Sequence, residues 1–237
     1  NLDNYFANGT FAFNDKSQVH LLREMIKTVY LRTGPLVSID VEAHERATHE
    51  ITEIGIAVYD PEGQWFLSTP HIKTLHILTS ESMHLRNGNY VPDRKFSFNG
   101  GTSYSMNYNQ LRALLRGVFS SYFTERRGVL VGHDVNNDLQ WLKKLLINLH
   151  PETRTVDTLR IYLLTSKQHG SLRKILRRMD IPHANLHNAA NDAYYTLLLA
   201  MSVCDPEQRI RHNLDAIDHT VVPPAMAREK RKAKFSD

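Results

Sequence analysis

A mixed five-stranded sheet with helices on both faces, an α/β fold, is predicted from three observations. Two Ile- and Val-rich segments, Leu36 to Glu42 and Ile51 to Tyr59, follow each other closely. Helical and apolar strand patterns then alternate from Tyr108 to Val203. No internal repeat interrupts that alternation, so one layered core is the expected arrangement.

The elements follow in order. Gln18 to Tyr30 sets Val19, Leu22, Met25, Ile26 and Val29 at helical spacing, and Gly34 with Pro35 stops the helix. Leu36 to Glu42 and Ile51 to Tyr59 read as strands. The turn Pro61, Glu62, Gly63 leads into Trp65, Phe66 and Leu67, expected as the third strand of a meander. The stretch around 71–106 holds Asn87, Gly88, Asn89, Pro92, Gly100 and Gly101, residues that favour turns, and is expected to be an irregular insertion. Tyr108 to Phe123 is an amphipathic helix, Val129 to Val131 a short strand stopped at Gly132, and Asn137 to Leu149 a helix with Leu139, Leu142, Leu145, Leu146 and Leu149 inward. Arg154 to Val156 supplies the fifth strand. Short helices near Thr158 to Leu164 and Ser171 to Met179 precede an apolar helix from Asn188 to Val203. The leading strand pair is expected to be antiparallel and the later strands parallel. Trp65 and Trp141 are read as core residues.

Of 237 residues, 41% are hydrophobic and 23% charged, which excludes a wholly disordered chain. Most of the net charge of +4 sits in the tail from Arg228 to Asp237, so the body is nearly neutral and does not resemble a protein that coats duplexes. That tail is expected to be a flexible charged terminus. Cys204 is the single cysteine, which excludes an intrachain disulfide and favours a reducing, intracellular compartment, cytoplasmic or nuclear. Asn1 to Phe13 lack the charged and apolar regions of a signal peptide, and no run of about 18 apolar residues suggests a membrane span. The chain starts with Asn1 rather than Met, which leaves open whether it is a piece of a longer protein.

The chemistry lies in the acids. Asp40 and Glu42 are two residues apart on a strand and therefore share a face. An unpaired carboxylate pair among Ile39, Val41 and their neighbours would be costly, so a cation is expected between them. By itself the pair could equally mark a solvated strand end. A second element, Val129 to Leu142, runs from strand through Gly132, His133, Asp134 to Asp138 in the first turn of a helix. There Asp138 could merely favour the positive helix terminus. A third element sets His187 just before the last apolar helix and Asp192 within its first two turns. His49-Glu50 before Glu53 only superficially matches a zinc-protease helix, since the segment continues as a strand.

In order and context, Asp40, Glu42, Asp138, His187 and Asp192 resemble the motifs of the DEDD superfamily of 3′ to 5′ exonucleases, in its DEDDh (DnaQ-like) subgroup. The resemblance runs from about Leu36 to Val203. It includes Ile51-Thr52-Glu53-Ile54-Gly55 on the second strand and Val156-Asp157-Thr158-Leu159 between the later motifs. It implies an RNase H-like fold and two divalent ions held by Asp40, Glu42, Asp138 and Asp192, with His187 as general base. Hard carboxylate oxygens suit Mg²⁺ or Mn²⁺. The domain would occupy 35–205, between an N-terminal helical extension at 1–34 and a C-terminal extension with the basic tail at 206–237.

Where many relatives carry Thr-Gly after the first motif, this chain has Ala43, His44, Glu45 and Arg46, and Asp134 stands where relatives usually have Asn. Asp134 is read as a cap of the following helix. Ala43, His44, His133, Arg173 and Lys174 are candidate substrate contacts, the last two within a cationic stretch that includes Lys167, His169, Arg177 and Arg178. The motif wording is most similar to a fungal branch that includes the exonuclease domains of quelling-interacting proteins. That implies single-stranded nucleic acid as substrate, RNA over DNA, and a place in RNA silencing with an Argonaute-type partner. Two alternatives stay open: a non-catalytic docking module on the same fold, and a DNA-directed repair or proofreading exonuclease.

Overall fold

A computed structural model of the chain describes residues 2–13, 18–64, 66–166 and 170–216. Trp65, Lys167, His169 and the basic tail lie outside the described residues.

The strands are β1 (Leu36–Ala43), β2 (Ile51–Tyr59), β3 (Ile72–Thr79), β4 (Ser103–Met106), β5 (Val129–Gly132) and β6 (Arg154–Asp157). They form one mixed sheet in the order β4-β3-β2-β1-β5-β6. β1, β2 and β3 are an antiparallel meander; β5 and β6 run parallel to β1, and β4 parallel to β3. The fold is α/β, a mixed six-stranded sheet with helices on both faces.

The third strand is not the Trp65 to Leu67 segment. Phe66 there is fully exposed in a turn, and the third strand begins six residues later. The region expected to be an irregular insertion therefore supplies β3 at its start and, at its end, the sixth strand β4. Lys73, Thr74, His76 and Thr79 obscure the apolar pattern of β3 in the sequence. Its buried polar residue is acceptable because His76 Nε2 donates to Glu53 Oε2 at 2.9 Å and its Nδ1 bonds Ser103 Oγ at 2.8 Å, each on a neighbouring strand.

The helices are α1 (Leu2–Asn8), α2 (Gln18–Tyr30), α3 (Tyr108–Val118), α4 (Val135–Lys144), α5 (Thr158–Leu163), α6 (Leu172–Arg178), α7 (Ala189–Val203) and α8 (Pro206–Arg211). α3 continues as a π-helical segment over Phe119–Glu125. α4 ends earlier than its leucines suggested: Leu146 takes φ 59° and is exposed, while Leu145 is buried. Trp141 is half-buried with Lys144 Nζ 3.8 Å above its ring.

Alternation along the strands divides the core. Leu36, Ala57, Tyr59 and Val131 face α2, α5, α6 and α7, while Val37, Ile39, Ile54, Ile56 and Leu130 face α3 and α4. α2 buries Leu22 and Ile26 in the first layer, and α1 adds Leu2 and Tyr5. Arg209 of α8 is buried, donating to Asp215 at 2.8 Å and to the Tyr5 hydroxyl at 3.0 Å, which joins α1 to the C-terminal end of the described chain. No helix among the described residues is long and apolar enough to cross a membrane.

Candidate active site

Asp40 and Glu42 lie on the α7 face of β1, in line with Leu36 and Ser38. In register they oppose Gly55 and Glu53 of β2. Gly55 decides how closely α7 approaches: a Cβ there would lie 2.1 Å from the carbonyl carbon and oxygen of Ala189 and 2.3 Å from the amide of Ala190. Only a glycine lets the first turn of α7 rest directly on the strand. That turn carries Asp192, and His187 stands just ahead of the Asn188 N-cap with φ 71°. The His187 amide donates to Asp192 Oδ2 at 2.9 Å, fixing one residue against the other.

Asp138 arrives from the other side. β5 pairs only with Leu36, Val37 and Ser38, so β1 runs on past its parallel neighbour and leaves backbone groups open. Asp138, in the first turn of α4, fills this gap: its Oδ1 accepts the Val41 amide at 3.3 Å. Asp134, read as the cap of this helix, makes no such bond; its carboxylate accepts from the Asn137 side chain at 2.7 Å. Asp157 takes that place instead, accepting the amides of Asp134 and Val135 as well as capping α5.

The outcome is a cluster of acids. Ligand atoms of Glu42, His187 and Asp192 lie within 4.8 Å of one another. Asp40 is held well above the usual carboxylate range by burial first, then by Asp138, Asp192, Glu42 and Glu53. Burial, then Asp192 and Glu53, pushes Glu42 up to about 8. Burial raises Asp138 to about 7, against the opposing Val41 bond, and raises Asp192 to about 7, against the His187 amide. One carboxylate oxygen, Asp192 Oδ1, is buried with no hydrogen-bond partner among the described residues. His187 is half-buried and its pKa is lowered, first by burial and then by the positive charges of Arg173 and Arg94. A neutral imidazole beside acids that share protons is poised to accept one more.

Glu53 is an acid with a role that sequence reasoning did not assign. Its Oε2 accepts from His76, from Asn188 Nδ2 and from the Ala189 amide, both at 3.3 Å, so it anchors the start of α7 from beneath. Its place in the second-strand motif was the available signal. Arg94 was missed altogether, because nothing in the sequence ties that part of the insertion to the site.

Of the expected substrate contacts, Arg173 is exposed on α6 and close enough to lower the pKa of both His187 and Asp192. Lys174 lies 6.0 Å from the Tyr162 ring. Ala43 ends β1, its carbonyl accepting from Asn87. The two histidines are differently employed. His133 bonds Thr158 Oγ1 at 2.8 Å and the Gly170 carbonyl at 2.9 Å, tying β5 to the start of α5 and the loop before α6. His44 accepts the Ala47 amide at 2.9 Å and bonds the Arg86 carbonyl at 3.2 Å. Both rings engage their nitrogens in contacts within the protein.

Comparison with known proteins identifies a family. Residues 35–203 match the DEDDh family described as DNA polymerase III subunit epsilon-like, C-terminal domain. The chain is 35% identical over 229 residues to the Saccharomyces cerevisiae protein YDR514C, an uncharacterized protein, with 85% of this chain and 47% of that protein covered. It is 32% identical to Good for full DBP5 activity protein 2 of the same yeast, covering 87% of this chain and 42% of the relative. An uncharacterized nucleolar protein of Schizosaccharomyces pombe is 30% identical over 67% of this chain and 64% of its own length. The chain thus spans about half the length of the two budding-yeast relatives. Among solved structures, exonuclease I superposes with a TM-score of 0.46 at 12% identity, over 76% of this chain and 42% of that one. E. coli exonuclease I in complex with a dT13 oligonucleotide gives 0.45 at 11%, over 76% and 43%. With the family match extending over most of the chain, residues 35–203, the chain belongs to the DEDDh exonucleases, a family of RNase H-like fold.

Proposed function

We propose that the chain is a metal-dependent 3′ to 5′ exonuclease acting on single-stranded nucleic acid, with RNA preferred. The observation that carries this reading is the convergence of Glu42, His187 and Asp192 within 4.8 Å, backed by Asp40 and Asp138. The donor set fits divalent cations: four mutually repelling acids, one with an unpartnered buried oxygen, and hard ligand atoms suited to two ions of Mg²⁺ or Mn²⁺. When bound, such ions would activate water and stabilise the departing 3′ oxygen.

The protein's own groups supply the rest. Asp40, Glu42, Asp138 and Asp192 hold the ions. His187, kept neutral by burial and flanking arginines, takes the proton of the attacking water. Arg173, exposed on α6, supplies positive charge toward Asp192 and His187 that can meet a phosphate. The fission-yeast relative is named as nucleolar, an RNA-rich setting, which favours RNA over DNA. A role in RNA processing or silencing inside the cell, with an Argonaute-type partner, follows from the resemblance to the fungal branch.

The test is a time course on matched 3′- and 5′-labelled RNA and DNA strands with Mg²⁺ or Mn²⁺, with EDTA and His187→Ala as controls. Stepwise shortening from the 3′ end, faster on RNA and lost in both controls, is expected. Intact strands under every condition would sink the proposal and favour a docking module.

A further inference from the structure

The segment between β3 and β4 contains exposed aromatic side chains on a backbone that is tied down at both ends. Phe96 is 57% exposed and Tyr90 80%. Single exposed apolar residues are ordinary on protein surfaces. Here, however, the surrounding chain is fixed by specific polar bonds. Glu45, just beyond β1, accepts the amides of Asn89, Tyr90 and Val91 at 2.8 to 3.0 Å, and those bonds pull its carboxyl down to about 2. At the other end, Asn188 donates to the carbonyls of Arg94 and Lys95, and Asn191 to that of Ser97. Lys95 turns inward, its Nζ donating to the Leu85 carbonyl at 2.6 Å.

These anchors are neighbours of the catalytic candidates. His44, bonded to the Arg86 carbonyl, stands two residues past Glu42; Asn188 follows His187 directly. The 86–96 segment thus bridges the mouth of the site, from the end of β1 to the start of α7. On it, the Arg86 guanidinium sits 4.4 Å over the Phe96 ring and is itself held by Asp93 at 3.3 Å. Arg94 is exposed, and its carbonyl accepts from Asn188 Nδ2 at 3.1 Å, which places its backbone beside the residue that follows His187.

We propose that Phe96, braced by Arg86, is a stacking platform for a base of the single strand entering the site, with Arg94 placed on its backbone phosphate. The proposal rests on the exonuclease reading and names how that site holds its substrate. An aromatic face accepts any base, and an arginine beside it meets the phosphate, which is the combination single-strand binding uses. The pre-fixed backbone removes much of the ordering cost of binding.

The test uses the whole chain with Asp192→Asn, so that bound strands survive, and Ca²⁺ in place of a catalytic cation. Affinity is read by fluorescence anisotropy of a 5′-labelled ten-nucleotide strand. Phe96→Ala is expected to weaken Kd about tenfold, and Phe96→Trp to restore it. Arg94→Ala should weaken binding to every sequence and reduce the salt slope by about 1. Phe66→Ala, a still more exposed ring beyond the opposite end of β2 from Glu53, is the control expected to change nothing. With Asp192 intact, Phe96→Ala should raise KM more for the ten-nucleotide strand than for a dinucleotide, and thermal melting confirms that each variant is folded. If the unsubstituted chain neither binds nor shortens a strand, the exonuclease reading fails and takes the platform with it. If it does both and Phe96→Ala matches it in Kd and KM, only the platform falls.

Discussion

At the scale of single residues, the site works against the stability of the protein that carries it. Glu42 faces Glu53 across the β1–β2 ladder, and Asp40, Asp138 and Asp192 add their charges to the same enclosed volume. Glu53 cannot turn away, because His76, Asn188 and the Ala189 amide all donate to it. Each unit by which a buried acid is raised above its free value costs about 1.4 kcal/mol at a pH where it must ionise. Asp192→Asn keeps an oxygen for the His187 amide while deleting a charge. In the metal-free protein it should therefore raise stability at pH 8 by on the order of 1 to 3 kcal/mol, read as a higher melting temperature. The same change should cut cleavage by about a thousandfold. A variant that melts lower than the parent in EDTA would show that the carboxylate is structurally needed, contrary to this account.

At the scale of elements, the contact of α7 on β2 decides whether the acids converge. Gly55→Ala places a Cβ against the backbone of Ala189 and Ala190, which cannot rotate aside as a side chain would. The helix must lift. Overpacking of this kind costs about 1 to 3 kcal/mol, and the melting temperature should fall by roughly 2 to 4 °C per kcal/mol for a chain of this size. Because α7 carries both Asp192 and the residue after His187, cleavage should fall further than the loss of folded protein explains; a folded, fully active Gly55→Ala would refute the argument. This contact also explains what the sequence could disclose. β1, β2, β5, α2 and α7 were legible since their burial depends on apolar periodicity, and the five acid and histidine positions since Asp40 and Glu42 lie on β1, Asp138 in the first turn of the helix after β5, and His187 and Asp192 at the start of α7. β3 was missed because His76 and Thr79 are buried polar residues whose partners include Glu53 and the Ile51 carbonyl, more than twenty residues away in sequence. β4 is four residues long and half exposed, so its pairing with β3 rather than its own pattern makes it a strand. Arg94 and Asp157 act through tertiary bonds that no local spacing records.

At the scale of the whole molecule, pH and divalent cations should act on stability in opposite directions. In the folded, metal-free chain Glu42 ionises at about 8 and Asp138 and Asp192 at about 7, whereas unfolded carboxyls ionise near about 4. Between those values the folded state retains protons that the unfolded state has released, so stability falls as pH rises from about 4 to 8 and then levels. His187 contributes the reverse sign, since its lowered pKa means that the folded state binds fewer protons than the unfolded near pH 6, but it is one group against four, Asp40 being raised as well. Asp60, paired with Arg126, and Glu45, held by loop amides, have lowered pKa values and add stability above the unfolded carboxyl range that is lost in stronger acid. Their loss sets the acid limb and places the metal-free optimum near the foot of the carboxyl window. Cations bind the ionised cluster, so millimolar Mg²⁺ or Mn²⁺ should stabilise the chain progressively more from pH 5 to pH 8. Thermal melts across this range, with EDTA and with each metal, check both limbs: two curves that diverge as pH rises are expected. Parallel curves, or an EDTA curve that climbs from pH 5 to pH 8, would mean that the acids do not share one electrostatic site.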